Sequence, residues 1–416
     1  MPEFLHLLPP KEALERLLPY LDLQSQTELV ELNEALGRVT ASDVLAPHAL
    51  PSFARSTVDG YAVMAADTYG ASDSIPVYVK IAGEVPMGSA PNFRLTKNNC
   101  ALIHTGGMLP EGADAVVMLE YTQMVQDQEV EILRAVAIGE NSILVGEDVT
   151  VGQLVMPKGS LLLPAEIGGL AALGITHVKV RRKPRVAILS TGDEIIPLEA
   201  TLELGKVFDV NSYTLSTLVK QAGGEPVPMG ILPDKTDTLA FCAAQALQTC
   251  DMVVFTAGSS ASVRDLTAQV IDRLGKPGVL VHGVNVRPGK PTILAACALP
   301  GQTFKPVIGL PGNPVSAFVI ARLFVVPVIK ILLGIFQTFP KPSIKARLIL
   351  NVASEAGRED WVPVRLIQTS SGWEVEPVFG KSNLIFTLVR ADGLIRIPPD
   401  ATGLNVGESV EVYPFE

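Results

Sequence analysis

Cysteine, histidine and tryptophan are scarce in this sequence, with four, five and two residues respectively among 416. The cysteines form no C-x-x-C pair and the histidines lack the spacing of metal ligands, so we expect neither set to bind a metal. The thiols are expected to be reduced and buried, as is usual in cytosolic proteins. The cysteines are Cys100, Cys242, Cys250 and Cys297, and the histidines are His6, His48, His104, His177 and His282.

Positive charge is also in short supply, because the formal net charge is −10. A nucleic-acid surface needs clustered lysine and arginine to neutralise phosphates, so this class of partner is not expected. We interpret the densest basic run as a solvent-exposed segment that leads into a strand, in preference to a binding site for a polyanion. It consists of Arg181, Arg182, Lys183 and Arg185.

Targeting and membrane signals are weak. The N-terminal segment lacks the basic region and small-residue cleavage site of a signal peptide, so a cytoplasmic location is expected. The apolar run 317–336 approaches the length of a membrane span, but Arg322, Pro327 and Lys330 interrupt it. A charge near the centre of a span costs about 2.5 to 3.5 kcal/mol on insertion scales. We therefore expect a buried helix and no membrane partner.

The length requires several domains, since a single hydrophobic core stops growing at roughly 250 to 300 residues. The 48% hydrophobic content is high and suits large cores together with an apolar interface between identical subunits. Helical spacing of leucines is found from about residue 10 to 38, and short β-like runs follow from 51 to 147. The segment "LPAEIGGLAALGI" then predicts a helix with Pro164 in its first turn.

Strand-like and helix-like runs alternate from Arg185 to about Gly334, which predicts parallel strands covered by helices on both faces. From about Lys341 the chain returns to β-like runs. The predicted fold is a multi-domain α/β protein with a central three-layer α/β/α domain and a mostly parallel sheet. The predicted domains are an elongated helical and linker module (1–45 and 148–182), an inserted β domain (46–147), the α/β domain (183–336) and a C-terminal β-barrel-like domain (337–416).

Three of the predicted strands end in polar, glycine-containing turns, at 190–194, 256–262 and 310–314. The carboxyl ends of parallel strands meet at one edge of a sheet, so these turns are expected to form a pocket. In the last turn Asn313 suits a helix N-cap and Pro314 the first helical position. We expect the free N–H groups of this helix start to accept an anion, although a rigid turn without a ligand is the alternative.

Charged residues near these turns suggest chemistry. The segment "HGVNVRPGKPT" is not a phosphate-binding P-loop, because its glycine spacing is wrong, yet Arg287 and Lys290 offer two cations for an oxyanion. A solvated loop is an equally good interpretation. Each nearby carboxylate alone is typical of a turn or cap, but together they suit Mg²⁺ bridging phosphates. These acids are Asp59, Asp148, Glu194, Asp234 and Asp265.

Several motifs occur in order: "FARSTVDGYAV", "HTGGMLPEGADAVVMLEYT", "VGEDVTVGQLVMPKGS", "STGDEI", "RPGKPT" and "GLPGNPVSAF". With them the chain resembles molybdopterin molybdenumtransferases, the MoeA and gephyrin E-domain family, from its N-terminal helix to its C-terminal domain. The resemblance implies an elongated cytoplasmic homodimer that binds adenylylated molybdopterin. It also implies Mg²⁺-dependent cleavage of the adenylate as molybdate enters the dithiolene. Expected further partners are molybdopterin adenylyltransferase and molybdoenzymes or their chaperones.

The resemblance also assigns roles to residues that match the family motifs. The implied catalytic acids are Asp59, Asp148, Glu194, Asp234 and Asp265, and all of these except Asp148 are implied metal ligands. The implied substrate-binding residues are Thr105, Ser190, Thr191, Gly192, Gly258, Ser259, Arg287, Lys290, Pro311, Gly312, Asn313, Pro314 and Ser382. We expect Ser382 to come from the partner subunit.

The chain departs from the family at two places. The usual Gly-Gly-Val-Ser-Val-Gly before an aspartate is replaced by "AGSSASVRD", and "RPGK" replaces the commoner Lys-Pro-Gly-Lys. Lost glycines limit how closely the backbone approaches a ligand. The segment "SVRDLT" is similar to the Arg-Asp-x-Thr segment of molybdopterin adenylyltransferase, without its Gly-Gly-Thr-Gly turn. Adenylyltransferase activity and a non-catalytic carrier or scaffold are therefore the alternative functions.

Overall fold

The structure, a computed structural model, describes residues 7–22, 26–126, 128–256, 261–301, 303–336 and 340–415, with only the backbone of 261–265. Contacts between residues divide the chain into two compact units. The larger unit comprises Met1–Glu28, Gly37–Val39 and Lys179–Glu416, and the smaller unit comprises Leu29–Leu36 and Thr40–Val178. The boundaries of the four domains in the sequence analysis stay a prediction.

The smaller unit is built around a β-sheet. Side chains alternate between its two faces, so that Tyr61 and Val63 lie in one hydrophobic core while Ala62 lies in another. The strands of the sheet, in spatial order, are Ala115–Met118, Gly60–Val63, Asn99–Ile103, Val77–Glu84, Glu129–Ile132 and Thr122–Gln126. Short strand pairs join Val44–Leu45 to Leu154–Met156 and Arg55–Ser56 to Ser142–Ile143. The helical segments are Leu32–Glu34, Ala65–Thr68, Leu119–Tyr121 and Pro164–Ala172.

The sheet of the larger unit confirms the predicted alternation of strands and helices. Five of its six described strands run in one direction, because only Ile293–Cys297 is antiparallel to both neighbours. Its edge strand Glu225–Leu232 contains two prolines, which an edge tolerates since one side of the strand needs no partner. In spatial order the strands are Glu225–Leu232, Arg185–Thr191, Met252–Thr256, Lys305–Leu310, Ile293–Cys297 and Pro277–His282.

Helices cover both faces of this sheet, as a three-layer domain requires. Val186 and Ile188 pack on one face, and Ala187 and Leu189 pack on the other. The first face is covered by Pro10–Leu17, Val210–Gln221 and Pro314–Leu332, and the second by Thr236–Thr249 and Ala261–Arg273. The short strands Ile195–Ile196 and Val207–Phe208 pair beside the sheet.

The predicted helical segment from residue 10 to 38 is wrong in its extent. The α-helix spans Pro10–Leu17 and continues only as a 3₁₀ turn over Leu18–Tyr20, followed by the strand Thr27–Glu31. Pro19 has no N–H to donate to a carbonyl four residues earlier, so it ends the α-helical hydrogen bonding. Leucine spacing alone does not detect this interruption.

The helix Pro314–Leu332 is long and apolar enough to cross a membrane, with a mean hydropathy of 2.2. A core helix of a soluble protein can be equally long and apolar. In this helix, 78% of the most apolar stretch is buried inside the protein. It is α-helical over Pro314–Ile320 and Val326–Leu332, with a π-helical segment between them. Pro327 lies just after this segment, where a regular α-helical hydrogen bond is missing. The helix therefore forms part of the core, as predicted.

The C-terminal region forms a closed five-stranded barrel, which confirms the predicted β-barrel-like domain. The barrel closes because Glu359–Thr369 pairs with strands on both sides. Its strands, in order around the barrel, are Glu359–Thr369, Gly372–Pro377, Ile344–Leu348, Ser409–Pro414 and Gly393–Ile397. A short strand, Val286–Arg287, adds to Glu359–Thr369 in parallel. Smaller elements are the paired strands Val352–Ala353 and Gly403–Leu404 and the helix Phe386–Val389.

Candidate functional site

A cleft of about 820 Å³ lies in the larger unit, between the α/β sheet and the barrel. Two predicted site segments line it, the 287–290 loop and the 311–313 turn. Four cationic side chains line the same cleft, whereas Asp360 is the only acid among the described lining residues. The cations are Arg287, Lys290, Arg358 and Lys381. The cleft is therefore suited to an anionic ligand.

The loop that carries Arg287 and Lys290 is held closely against the protein. Gly289 has a φ of +126°, and a Cβ added there would lie 2.4 Å from the side chain of Ile320. The Thr292 hydroxyl donates to the carbonyl oxygen of Gly289 at 2.6 Å. A larger residue than glycine would both strain this turn and push it off the helix below. The two predicted cations are thus presented to the cleft by a loop of defined shape.

The 311–314 turn differs from the expectation of a free helix start. The N–H of Val315 donates to the carbonyl oxygen of Ser382 at 3.0 Å, so this donor is not available to an anion. Asn313 occupies the N-cap position but makes no capping bond, and its side-chain amide donates to the Ser382 hydroxyl at 2.9 Å. One of the N–H groups that were expected to accept an anion is therefore already bonded within the chain. Ser382 of the same chain completes this turn, and a contribution of Ser382 from a partner subunit stays a prediction.

Ser190 and Thr191 end a central strand, and both are completely buried. The Thr191 hydroxyl donates to the carboxylate of Asp234, which holds that acid at the edge of the sheet. The hydroxyl groups of Ser190 and Ser212 are 2.6 Å apart. These hydroxyls therefore fix the turns of the site rather than face open solvent, while Glu194, beyond Gly192, is exposed.

Sequence reasoning missed the residues at the start of helix Val210–Gln221. The side-chain amide of Asn211 donates to the Thr256 hydroxyl and to the Gly312 carbonyl oxygen, both at 2.9 Å. It thereby ties two strand ends together, although Asn211 and Gly312 are 101 residues apart in the sequence. Asp209 caps the helix by accepting from the N–H of Ser212 at 3.1 Å. The cap signal "DVNS" before a helical pattern could have revealed this position.

The predicted acids of the smaller unit belong to different turns. One carboxylate oxygen of Asp59 accepts from the N–H of Thr105 at 2.8 Å and lies 3.3 Å from its hydroxyl. The Thr105 N–H, assisted by the nearby His104, holds the pKa of the Asp59 carboxyl below its ordinary value. Asp148 is exposed, and none of the described contacts joins it to Asp59 or Thr105. Asp59 is therefore presented to solvent in its ionised form.

Sequence reasoning also missed the surroundings of His104. Its side chain is 42% exposed and lies between two carboxylates. Nδ1 is 3.6 Å from Asp59, and Nε2 is 3.6 Å from Glu84. Glu84 ends the strand Val77–Glu84 and His104 directly follows the strand Asn99–Ile103, so the parallel pairing of these two strands brings the residues together.

The loop between strand Met252–Thr256 and helix Ala261–Arg273 lies outside the described residues. Gly258 and Ser259 lie outside the described residues. Asp265 lies in the helix Ala261–Arg273, with only its backbone described. Because that helix begins at Ala261, Asp265 is not its N-cap. A role of Asp265 as a simple helix cap is therefore excluded, and its role as a site residue stays a prediction.

The implied Mg²⁺ ligands are all carboxylates, whose oxygens suit this hard cation. In the part of the chain that the structure describes, no group of three or more acidic, histidine or cysteine side chains could hold a metal. Asp59 belongs to the smaller unit, and Glu194 and Asp234 belong to the larger one. Mg²⁺ usually keeps several waters and takes only one or two carboxylates together with substrate phosphates. The donor set therefore fits this ion if the substrate supplies further ligands.

Known proteins match the chain along nearly all of its length. Residues 8–174 match the MoeA N-terminal region (domain I and II), and residues 187–331 match a probable molybdopterin binding domain. Residues 345–415 match the MoeA C-terminal region (domain IV). The three matches follow one another in the order of the motifs.

Individual relatives agree with these matches. A putative molybdopterin biosynthesis protein of Methanocaldococcus jannaschii is 36% identical, with 98% of each chain covered. The molybdopterin molybdenumtransferase of Nostoc is 34% identical over 95% of this chain and 90% of its own. The crystal structure of a molybdopterin biosynthesis MoeA protein from Pyrococcus horikoshii has a TM-score of 0.83 and 37% identity, with 99% of each chain covered. This structural match confirms the predicted multi-domain α/β fold.

Proposed function

The chain belongs to the MoeA family, and we propose that it inserts molybdenum from molybdate into adenylylated molybdopterin with release of AMP. Relatives named molybdopterin molybdenumtransferase that cover 95% or more of this chain support an enzyme of this type in molybdenum cofactor biosynthesis. Adenylylated substrate and Mg²⁺ dependence are the finer parts of the proposal. They are consistent with the anionic chemistry that the cleft accommodates.

The observation that carries the proposal is the concentration of positive charge in the cleft of an acidic protein. Four cations line it on a chain of net charge −10. Phosphate groups and molybdate are both oxyanions, which guanidinium and ammonium groups bind by charge-assisted hydrogen bonds. Arg287 and Lys290 would neutralise part of this charge, and their well-defined loop would orient the substrate.

The carboxylates would help to bind the same substrate by holding a metal cation against its negative charge. When bound, Mg²⁺ would neutralise negative charge on the phosphates during cleavage of the adenylate. Asp234, held by the Thr191 hydroxyl, and Glu194 would supply oxygen ligands from the larger unit. Asp59, whose charged form the Thr105 N–H favours, stays a predicted ligand of the same ion.

The reaction can be tested directly with the full-length protein. We expect AMP to be released from adenylylated molybdopterin only when molybdate and Mg²⁺ are both present, and chromatography would measure it. Consumption of ATP with free molybdopterin would instead indicate the adenylyltransferase alternative. Binding of the pterin without any turnover would indicate a carrier or scaffold and would contradict the proposed reaction.

A homodimer is a second prediction, supported by an apolar helix that is mostly uncovered. Helix Pro164–Ala172 contains mainly apolar residues, yet only Leu170 in it is buried. Leu163, directly before it, is 47% exposed. Apolar surface of this kind marks an interface. We expect light scattering to give about twice the 44.2 kDa chain mass.

Two variants would test whether the region of helix Pro164–Ala172 forms the dimer interface. We expect Leu163→Asp to shift the protein towards the monomer, because a charge placed in an apolar interface lacks a partner. Phe241→Asp, which changes an exposed residue of the larger unit, is the matched control and should keep the dimer mass. A monomeric unmodified protein with full activity would contradict the prediction. Binding of an adenylyltransferase, a molybdoenzyme or a chaperone also stays a prediction.

A further inference from the structure

Two neighbouring acids on the barrel strand Glu359–Thr369 are both buried. Glu359 is 7% exposed and Asp360 is 4% exposed. Successive side chains of a strand point to opposite faces, so the two carboxylates have different surroundings. Glu359 accepts from Trp361 Nε1 and Arg396 Nη2, both at 2.7 Å, and does not line the cleft. Asp360 does line it, which makes this acid unusual in a cleft suited to anions.

Asp360 lies between two cations of the cleft. Arg358 Nε donates to one of its carboxylate oxygens at 3.1 Å, and the Ser354 hydroxyl donates to the other at 2.8 Å. Arg287 Nη1 lies 3.9 Å from the latter oxygen. The backbone supports this arrangement, because Arg287 pairs with Asp360 in the parallel register of the added strand. One buried carboxylate therefore hydrogen-bonds to Arg358 and forms a longer ion pair with Arg287, two arginines far apart in the sequence.

The two guanidinium groups keep donors for a ligand. Arg358 Nη1 pairs with Glu355 at 3.1 Å, but its buried Nη2 has no hydrogen-bond partner among the described residues. The Arg287 side chain is 59% exposed and lines the cleft. An unpaired buried donor is costly unless a ligand satisfies it.

We propose that Asp360 is a positioning residue that holds Arg287 and Arg358 in the geometry that binds the anionic groups of the substrate. This inference deepens the proposed function and rests on it for the identity of the substrate. Asp360 acts through the two arginines and does not itself bind the anion. A planar guanidinium binds an oxyanion well only in a defined orientation, which a buried carboxylate can impose.

Neutralising Asp360 distinguishes a positioning role from a purely electrostatic one, because the two roles change the affinity for the anion in opposite directions. A carboxylate beside an anion site repels the anion, so removing its charge should by itself strengthen anion binding. Loss of positioning has the opposite effect, because the freed arginines must be ordered again when the anion binds. A purely structural role of Asp360 in the barrel would lower stability without weakening anion affinity.

The experiment is a calorimetric titration of the full-length protein with inorganic pyrophosphate. We expect Asp360→Asn to raise the Kd about fivefold to tenfold, since charge-assisted bonds from two arginines are misplaced. Glu359→Gln is the matched control, because it neutralises the neighbouring buried acid outside the cleft, and its Kd should stay within about twofold. Equal or tighter binding by Asp360→Asn would overturn the proposal.

A double-mutant cycle tests whether the effect passes through the arginines. In an Arg287→Ala, Arg358→Ala protein, Asp360→Asn should not weaken binding further, and a further loss would overturn the positioning role. If Asp360→Asn fails to fold, Ser354→Ala removes one bond to the same carboxylate and should raise the Kd about twofold to threefold. An unchanged Kd for Ser354→Ala would then count against the proposal.

Activity distinguishes this inference from the proposed function. In the AMP-release assay Asp360→Asn should raise KM for the pterin substrate more than it lowers kcat, as expected for lost binding. The unmodified chain could release no AMP while Asp360→Asn, but not Glu359→Gln, raises the Kd for pyrophosphate. The proposed reaction would then fail and the positioning role would stand. If AMP is released but Asp360→Asn leaves the Kd for pyrophosphate unchanged, only the positioning role fails.

Discussion

Asp59→Asn protein is expected to keep its fold and to lose about 100-fold of its Mg²⁺-dependent AMP release, the size of loss seen when one charge-stabilising group is removed. Asparagine retains a side-chain oxygen that can accept from the Thr105 N–H, so the local turn should survive. A neutral amide binds Mg²⁺ much less well than a carboxylate does. The measurement is kcat as a function of Mg²⁺ concentration, with the melting temperature as a check on folding.

A surface aspartate of the same unit provides the control for this prediction. Asp73→Asn makes the same chemical change at an exposed turn and should leave both kcat and the Mg²⁺ dependence unchanged. Unchanged AMP release by Asp59→Asn at limiting Mg²⁺ would refute the role of Asp59 as a ligand. A lowered melting temperature with the same loss would instead indicate a structural role.

Phe324→Ala is expected to destabilise the larger unit by about 3 to 5 kcal/mol, the usual cost of a phenylalanine deleted from a core. Phe324 is completely buried in the π-helical segment of the helix that begins at the 311–314 turn. Its removal would leave a cavity in the core that this helix shares with the sheet. Chemical denaturation followed by tryptophan fluorescence would measure the change through Trp361, which lies in the same core.

An exposed phenylalanine provides the control, because the same Phe→Ala change there removes no buried side chain. Phe241 is 63% exposed on helix Thr236–Thr249, and Phe241→Ala should change stability by less than about 1 kcal/mol. A loss below about 1 kcal/mol for Phe324→Ala as well would show that the core closes around the deletion. Such a result would contradict the expected cost of a cavity in this core.

The predicted central domain depended on local patterns, and the structure confirms them. The alternation from Arg185 onward identified the strands and helices, since an apolar run bounded by turns needs no distant residue to be recognised. The same logic identified the C-terminal barrel. Of the three turns that were expected to form one pocket, only 311–313 lines the cleft among the described residues, where it lies with Arg287 and the barrel.

Errors arose where a distant residue decides the outcome. The Val315 N–H was expected to be free, but the Ser382 carbonyl accepts it from a loop of the barrel. The imidazole of His104 lies between Glu84 and Asp59, a contact that the spacing of the histidines did not predict. Neither partner can be inferred from the sequence around Val315 or His104.

The sequence by itself determined the order of strands and helices in the α/β domain, the barrel and the kinds of side chain available for anion chemistry. Only the tertiary structure decided which polar groups stay free for a ligand. Ser190 and Thr191 are buried among partners, whereas the buried Nη2 of Arg358, a residue that lines the cleft, has no hydrogen-bond partner among the described residues. The physical reason is that strand and helix patterns are local, while the hydrogen bonds and burial of a polar group depend on residues brought together from distant parts of the chain.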